Sequence, residues 1–167
     1  AIDHADARWG KALACTCYAE ITEAGTYALQ FTIPGNTAVT TANIIDNVVV
    51  NRCGSPNLIQ NGSFDAGGGT VGNYIKSTES NFSNPHWTGT KADTFGLAVP
   101  NTGFHASVMA PHVMGKYSLY FRKSGLSAWQ SFNVSEAGFF HLSFVHWGWN
   151  NGGIPTEVKV LQVKDDL

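Results

Sequence analysis

An eleven-residue pattern occurs twice in this chain, and the period inside it restricts what the chain can become. Ile21-Thr-Glu-Ala-Gly-Thr-Tyr-Ala-Leu-Gln-Phe31 and Val134-Ser-Glu-Ala-Gly-Phe-Phe-His-Leu-Ser-Phe144 match position for position at an offset of 113 residues. In each copy a Glu-Ala-Gly turn is followed by apolar residues at every second place, the period of a strand with one buried face. Two such runs across a short polar turn predict a hairpin. In the second copy Phe132, Val134, Phe140, Leu142 and Phe144 form the buried face, and Trp129, His141 and Ser143 lie on the other.

The rest of the chain reads in the same way. Strands are expected at residues 11–20, 25–33, 43–51, 57–65, 74–75, 95–99, 104–109, 116–122 and 157–163, with Pro, Gly and Asn clusters between them. Residues 43–51 are rich in β-branched side chains, so that strand is expected to be buried on part of both faces. No stretch carries the 3.6-residue period of a helix. Many short strands separated by turn signals predict a β-sandwich or jelly roll made of the whole chain, 1–167, with its clearest internal boundary at 52–56.

Charged residues are 13% of the chain, about half the usual share, while Gly supplies 18 of its 167 residues. That composition fits an all-β protein of the extracellular space or cell surface. A net charge of −2 gives no electrostatic footprint for nucleic acid or an anionic membrane. No apolar run approaches the roughly 20 residues of a membrane-spanning helix. The absence of an initiator Met or a leader is expected of a processed product or a segment of something longer. Cys15 and Cys17 stand two apart on an expected strand and face one side, so they do not readily bond each other. Cys53 bridging one of them and all three staying reduced are both open, and the spacing is not that of a zinc site.

A series of motifs then carries a resemblance. NLIQNGSFD opens at 57–65, and a Trp follows about twenty residues later. Then come Gly-Lys-Tyr-Ser-Leu-Tyr-Phe at 115–121, Gln130 in the next strand, Ala-Gly-Phe-Phe-His-Leu-Ser-Phe at 137–144, and IIDNVVV at 44–50. This set resembles the galactose-binding-like jelly rolls that include many carbohydrate-binding modules. The order is shifted: in the family the NGSF segment comes first and the IDNV segment last. Here residues 1–52 carry the family's C-terminal strands and 57–167 its N-terminal strands. The resemblance therefore implies a circularly permuted jelly roll, closed within one chain or completed by a neighbouring copy.

The same resemblance implies a structural calcium ion shared by Asp46 and Asp65. Ca²⁺ takes six to eight oxygens, and two adjoining carboxylates need a cation to relieve their repulsion. The alternative is two separate aspartates, each capping local N–H groups. Trp129, Gln130, Trp147, Trp149, Asn150 and Asn151 form the second constellation. Indoles stack on sugar C–H faces and amides bond hydroxyls, but the same aromatics also suit a subunit contact or a core. Trp87 reads as core. The six histidines form no close pair, and no nucleophile, phosphate-loop or dinucleotide motif is present, so the chain is not expected to be an enzyme.

Two functions follow. One is a non-catalytic structural or adhesive module that joins copies of itself head to tail, as a filament or tandem array, with strand complementation as the means. The other is a module that binds a polysaccharide or glycan on exposed tryptophans.

Overall fold

The computed structural model describes residues 13–35, 38–70, 74–99, 115–149 and 156–163, with backbone alone at 38–41 and 147–149. Among the described residues there are ten strands: β1 (Leu13–Ile21), β2 (Gly25–Thr32), β3 (Ala38–Asn51), β4 (Tyr74–Lys76), β5 (Thr88–Gly89), β6 (Phe95–Ala98), β7 (Ser118–Lys123), β8 (Ser127–Val134), β9 (Gly138–Trp149) and β10 (Glu157–Gln162). No helix occurs among the described residues. The strands form two antiparallel sheets, in the orders β1-β9-β3-β7-β6-β4 and β10-β2-β8-β5. The expected all-β sandwich is what the chain forms.

Alternation builds the core. Tyr27, Leu29 and Phe31 of β2, Phe132 and Val134 of β8, and Phe140, Leu142 and Phe144 of β9 all point inward, joined by Ile45, Phe64, Trp87, Leu119 and Phe121. Burying one such side chain contributes about 1.5–3 kcal/mol, so this interior drives the fold.

The repeated segments are not hairpins. β8 lies in the four-stranded sheet and β9 in the six-stranded one, so the Glu136 turn carries the chain from one layer to the other. The Glu23 turn does the same between β1 and β2. Each copy is therefore an arch. The two arches pair with each other: Ile21 stands opposite Gly138 in one sheet, and Gly25 opposite Val134 in the other. Since Ile21 corresponds to Val134 and Gly25 to Gly138, the arrangement has a local twofold axis. Phe31 and its counterpart Phe144 meet edge to face across it, with ring centroids 5.2 Å apart.

β3 is buried on both faces, as its composition predicts. Ile45, Val48 and Val50 enter the main core, while Ala42 and Ile44 join Tyr120 and Ala98 in a second cluster. The inward parity changes from odd to even at a bulge between Asp46 and Val49, where Asn47 takes a φ of 51°.

NLIQNGSFD is a further correction: residues 57–65 are turns and irregular chain, not a strand. Asn57 replaces the strand ladder with side-chain bonds. Its Oδ1 accepts from the N–H groups of Val50 and Ile59, and its Nδ2 donates to the Val48 carbonyl. The Val48 N–H donates to the Gly62 carbonyl at 2.9 Å, and a Cβ at Gly62 would stand 2.1 Å from the Val48 oxygen. Only glycine fits there. The 44–50 and 57–65 segments are thus neighbours in space, and β1, β2 and β3 all pair with later strands of the same chain. The strand expected at 104–109 lies outside the described residues.

Candidate functional site

The residues singled out as a sugar or subunit surface do not share one face. Trp129 and Gln130 are consecutive in β8 and therefore point to opposite sides. Trp129 is half-buried on the outside, opposite Gln30 and Thr88. Gln130 faces inward and is buried. Its Oε1 accepts from the Gln60 N–H at 2.7 Å, and its Nε2 donates to the Gln60 carbonyl at 2.8 Å. Both ends of the amide are used in holding the 57–65 segment over the core. Trp147 and Trp149 lie in β9, in the other sheet, at register opposite Ile44 and Ala42. Their side chains, and Asn150 and Asn151 altogether, are outside the described residues. His141 and Ser143 lie on the six-stranded sheet, the layer opposite to that of Trp129.

The two aspartates converge on one short segment. Asp46 is 1% exposed; its Oδ1 accepts from the Asn47 N–H at 2.8 Å and its Oδ2 from the Ser118 hydroxyl at 3.1 Å. Asp65 Oδ1 accepts from the N–H groups of Lys116 and Tyr117 at 2.5 and 3.1 Å. A Cβ on Gly115 would fall 2.2 Å from Asp65 Oδ2, so the missing side chain makes room for the carboxylate. These N–H and O–H groups are donors, which hold an anion. Among the described residues no three His, Cys, Asp or Glu side chains cluster as a metal site.

Cys15, Cys17 and Cys53 are free thiols. Burial pushes the thiols of Cys15 and Cys17 above their ordinary value, and for Cys15 the nearby Cys17 adds to the rise.

Several concave surfaces occur among the described residues, and two of them hold aromatic side chains of candidate interest. One, of about 440 Å³, is floored by Phe82, Trp87 and Phe95. Part of its polar wall is engaged with the loops that make it. Glu79 accepts from the N–H groups of Thr70 and Lys76, and Ser77 Oγ donates to the Thr90 and Ala92 carbonyls. The Trp87 indole N–H donates to the Asn61 carbonyl at 3.0 Å.

The second, of about 350 Å³, is lined by Tyr18, Asn51, Cys53, Phe139 and His141. Tyr18, His141 and Asn51 stand in one row across β1, β9 and β3. Tyr18 and His141 rings lie 5.3 Å apart. This depression adjoins β1, an edge strand of nine residues without Pro, Lys or Arg. Such unguarded edges are templates for further pairing. In the other sheet β10 is an edge as well. Because each arch stacks β1 over β2 and β9 over β8, the two edges fall on the same flank. Among the described residues the exposed large hydrophobics lie on strands of that flank: Tyr18 at 75% and Phe139 at 69% on the six-stranded sheet, and Leu161 and Val163 on and just after β10 in the other sheet. Sequence reading missed this flank, although its signal, a strand rich in small and apolar residues with one charge, was present.

Comparison of the chain with protein families, with curated proteins and with solved structures found no match.

Proposed function

We propose that this chain is a non-catalytic structural module of an extracellular or cell-surface assembly, joined to copies of itself through the β1–β10 flank. The observation that carries the reading is the coincidence, on one side of the sandwich, of two strand edges and the exposed large hydrophobics. Exposed apolar side chains beside a strand edge favour association, and the backbone groups of the edge supply a directional join. Addition of strand to strand needs no segment to leave its own sandwich, so complementation here is edge to edge. Sugar binding has weaker support, since Gln130 and, in the Trp87 groove, Glu79 and Ser77 are engaged in internal bonds. Sedimentation velocity over a wide concentration range tests the proposal. Association that grows with concentration supports it, and a monomer of 17.9 kDa at every concentration overturns it.

A further inference from the structure

Cys15 and Cys17 share the inward side of β1, since their partners on β9, Phe144 and Leu142, are core residues of that side. Successive residues on one side of a strand stand about 6.6 Å apart. That is too far for a disulfide, whose Cβ atoms lie about 3.8 Å apart. It suits an ion held between the two sulfurs. Metal–sulfur bonds of about 2.3 Å place two sulfurs in line about 4.6 Å apart, a spacing each thiol reaches by leaning about 1 Å toward the other.

The pair is also accessible. At the offset of the repeat β1 corresponds to β8, so Cys15 and Cys17 stand where Ala128 and Gln130 stand on the other arch. There the 57–65 segment covers the inward face, bonded to Gln130 through Gln60. On β1, an edge strand, Cys17 is exposed and Cys15 half-buried. The Cys15 thiol rests on the Leu13 carbonyl at 3.9 Å, a weak contact that a metal–sulfur bond replaces.

We propose that Cys15 and Cys17 hold one soft cation between their sulfurs, of the class that binds two thiolates in line, Cu(I) or Hg(II). This goes beyond the self-association reading and is independent of it. The selectivity follows from the donors at hand. The other side chains of this face, Leu13, Ala19 and Ile21 on β1 with Leu142 and Phe144 on β9, carry no nitrogen or oxygen donor. Among the described residues no third His, Cys, Asp or Glu joins the pair. Zn²⁺ asks for four ligands and Ca²⁺ for six to eight oxygens, whereas thiolate sulfur selects soft ions. Charge acts in the same direction. Cys17 adds to the rise of the Cys15 thiol, because two thiolates side by side repel. A cation between them turns that repulsion into attraction. Binding replaces two S–H bonds by two metal–sulfur bonds and releases two protons, with no change of oxidation state.

The test uses the full chain, reduced and kept free of oxygen. Cu(I) is offered in competition with bicinchoninate, whose coloured complex reports the share it keeps. Hg(II) is followed by the ultraviolet absorption of its bonds to sulfur. Wild type and Cys53→Ser are expected to take one ion per chain, and excess Zn²⁺ should not displace it. Cys15→Ser and Cys17→Ser each lose the second sulfur and the local concentration it supplies, so affinity should fall at least about 100-fold. If a serine variant does not fold, the folded Cys53→Ser chain is treated with iodoacetamide to block Cys17, and the same loss is expected. Binding of one ion and not the other supports the site and names its ion. An equal loss in Cys53→Ser overturns the site by placing Cys53 in it. Half an ion per chain with Cys15→Ser unaffected overturns it too, because Cys17 of two copies then shares the ion. So does a wild type that binds neither ion, whatever its state of association.

Discussion

The arch at residues 21–31 and the arch at 134–144 share a sequence pattern and a backbone path, and differ in what surrounds them. Around the second, Glu136 is ion-paired with Arg52, whose guanidinium lies 6.0 Å from the centre of the Phe140 ring. Its strand β8 is closed in by β5 and by the 57–65 segment. Around the first, Glu23 accepts from Gln162 Nε2 at 2.6 Å, and the Tyr27 hydroxyl donates to the Glu23 carbonyl at 3.0 Å, a bond Phe140 cannot make. Among the described residues its strand β1 has a neighbour on one side alone. The local pattern fixes the arch, and the neighbours decide which parts of it become surface.

The symmetric core gives the sharpest test. Phe31→Ala and Phe144→Ala are each expected to cost about 3–5 kcal/mol in denaturant unfolding. Because the rings touch, the double variant should cost less or more than the sum by about 0.5–3 kcal/mol. Strongly unequal single costs would break the equivalence of the arches. Next is the pair Gln130 and Cys17, which hold corresponding places. Gln130→Ala strands the Gln60 N–H and carbonyl and should cost about 2–4 kcal/mol. Cys17→Ala should stay within about 0.5 kcal/mol. Similar costs would mean the open flank is not open.

A third test asks whether a cation helps brace the second arch's side. Asp65→Ala removes two bonds to backbone N–H groups and should cost about 1.5–3 kcal/mol. With donors of that kind, the wild-type melting temperature should not respond to EDTA. A drop on chelation that Asp65→Ala lacks would place calcium at Asp65. Smaller still is the contrast between the turn glycines. A Cβ at Gly138 would meet the Arg52 guanidinium at 3.3 Å, whereas at Gly25 its nearest neighbours stand at 3.7 Å. Gly138→Ala should cost about 1 kcal/mol and Gly25→Ala less than about 0.5, read from thermal melts.

The smallest effect concerns the uncapped inner face of β1. Burial raises the Cys15 thiol above its ordinary value, so at pH 8 less of it is thiolate and alkylation should be slower than for free cysteine. A folded-state value raised in this way adds stability that is complete below the ordinary thiol range and fades as pH climbs through the raised value. Alkylation as fast as free cysteine would show β1 more open than described.

Much of the fold was legible because alternation reports burial directly. What alternation cannot report is which strand pairs with which. In a sandwich both inner faces look into the same core, so Val134 before the turn and Phe140 after it give one pattern whether their strands pair or face each other across the layers. The hairpin expectation failed for that reason. NLIQNGSFD reads as a strand with Leu58 apolar and a break at Asn61-Gly62, yet Asn57 and Asn61 supply side-chain bonds that replace a ladder. Gln130 was legible in principle: it shares the parity of Phe132 and Val134, which places it inside and away from any ligand. The open flank was hidden because an edge is a property of the finished sheet, and β1 looks like any other strand until its partners are counted.

The bulge at Asn47 carries one more consequence. Val48, Val49 and Val50 are identical side chains, so hydrophobicity alone is indifferent to which of them is buried, and sliding β3 by one place would exchange Val49 for its neighbours at almost no loss of apolar contact. The choice falls to Asp46, whose carboxylate grips the Asn47 N–H on one side and Ser118 on the other. In a strand whose valines are interchangeable, a buried acid serves as the index mark that tells the sheet where to begin counting.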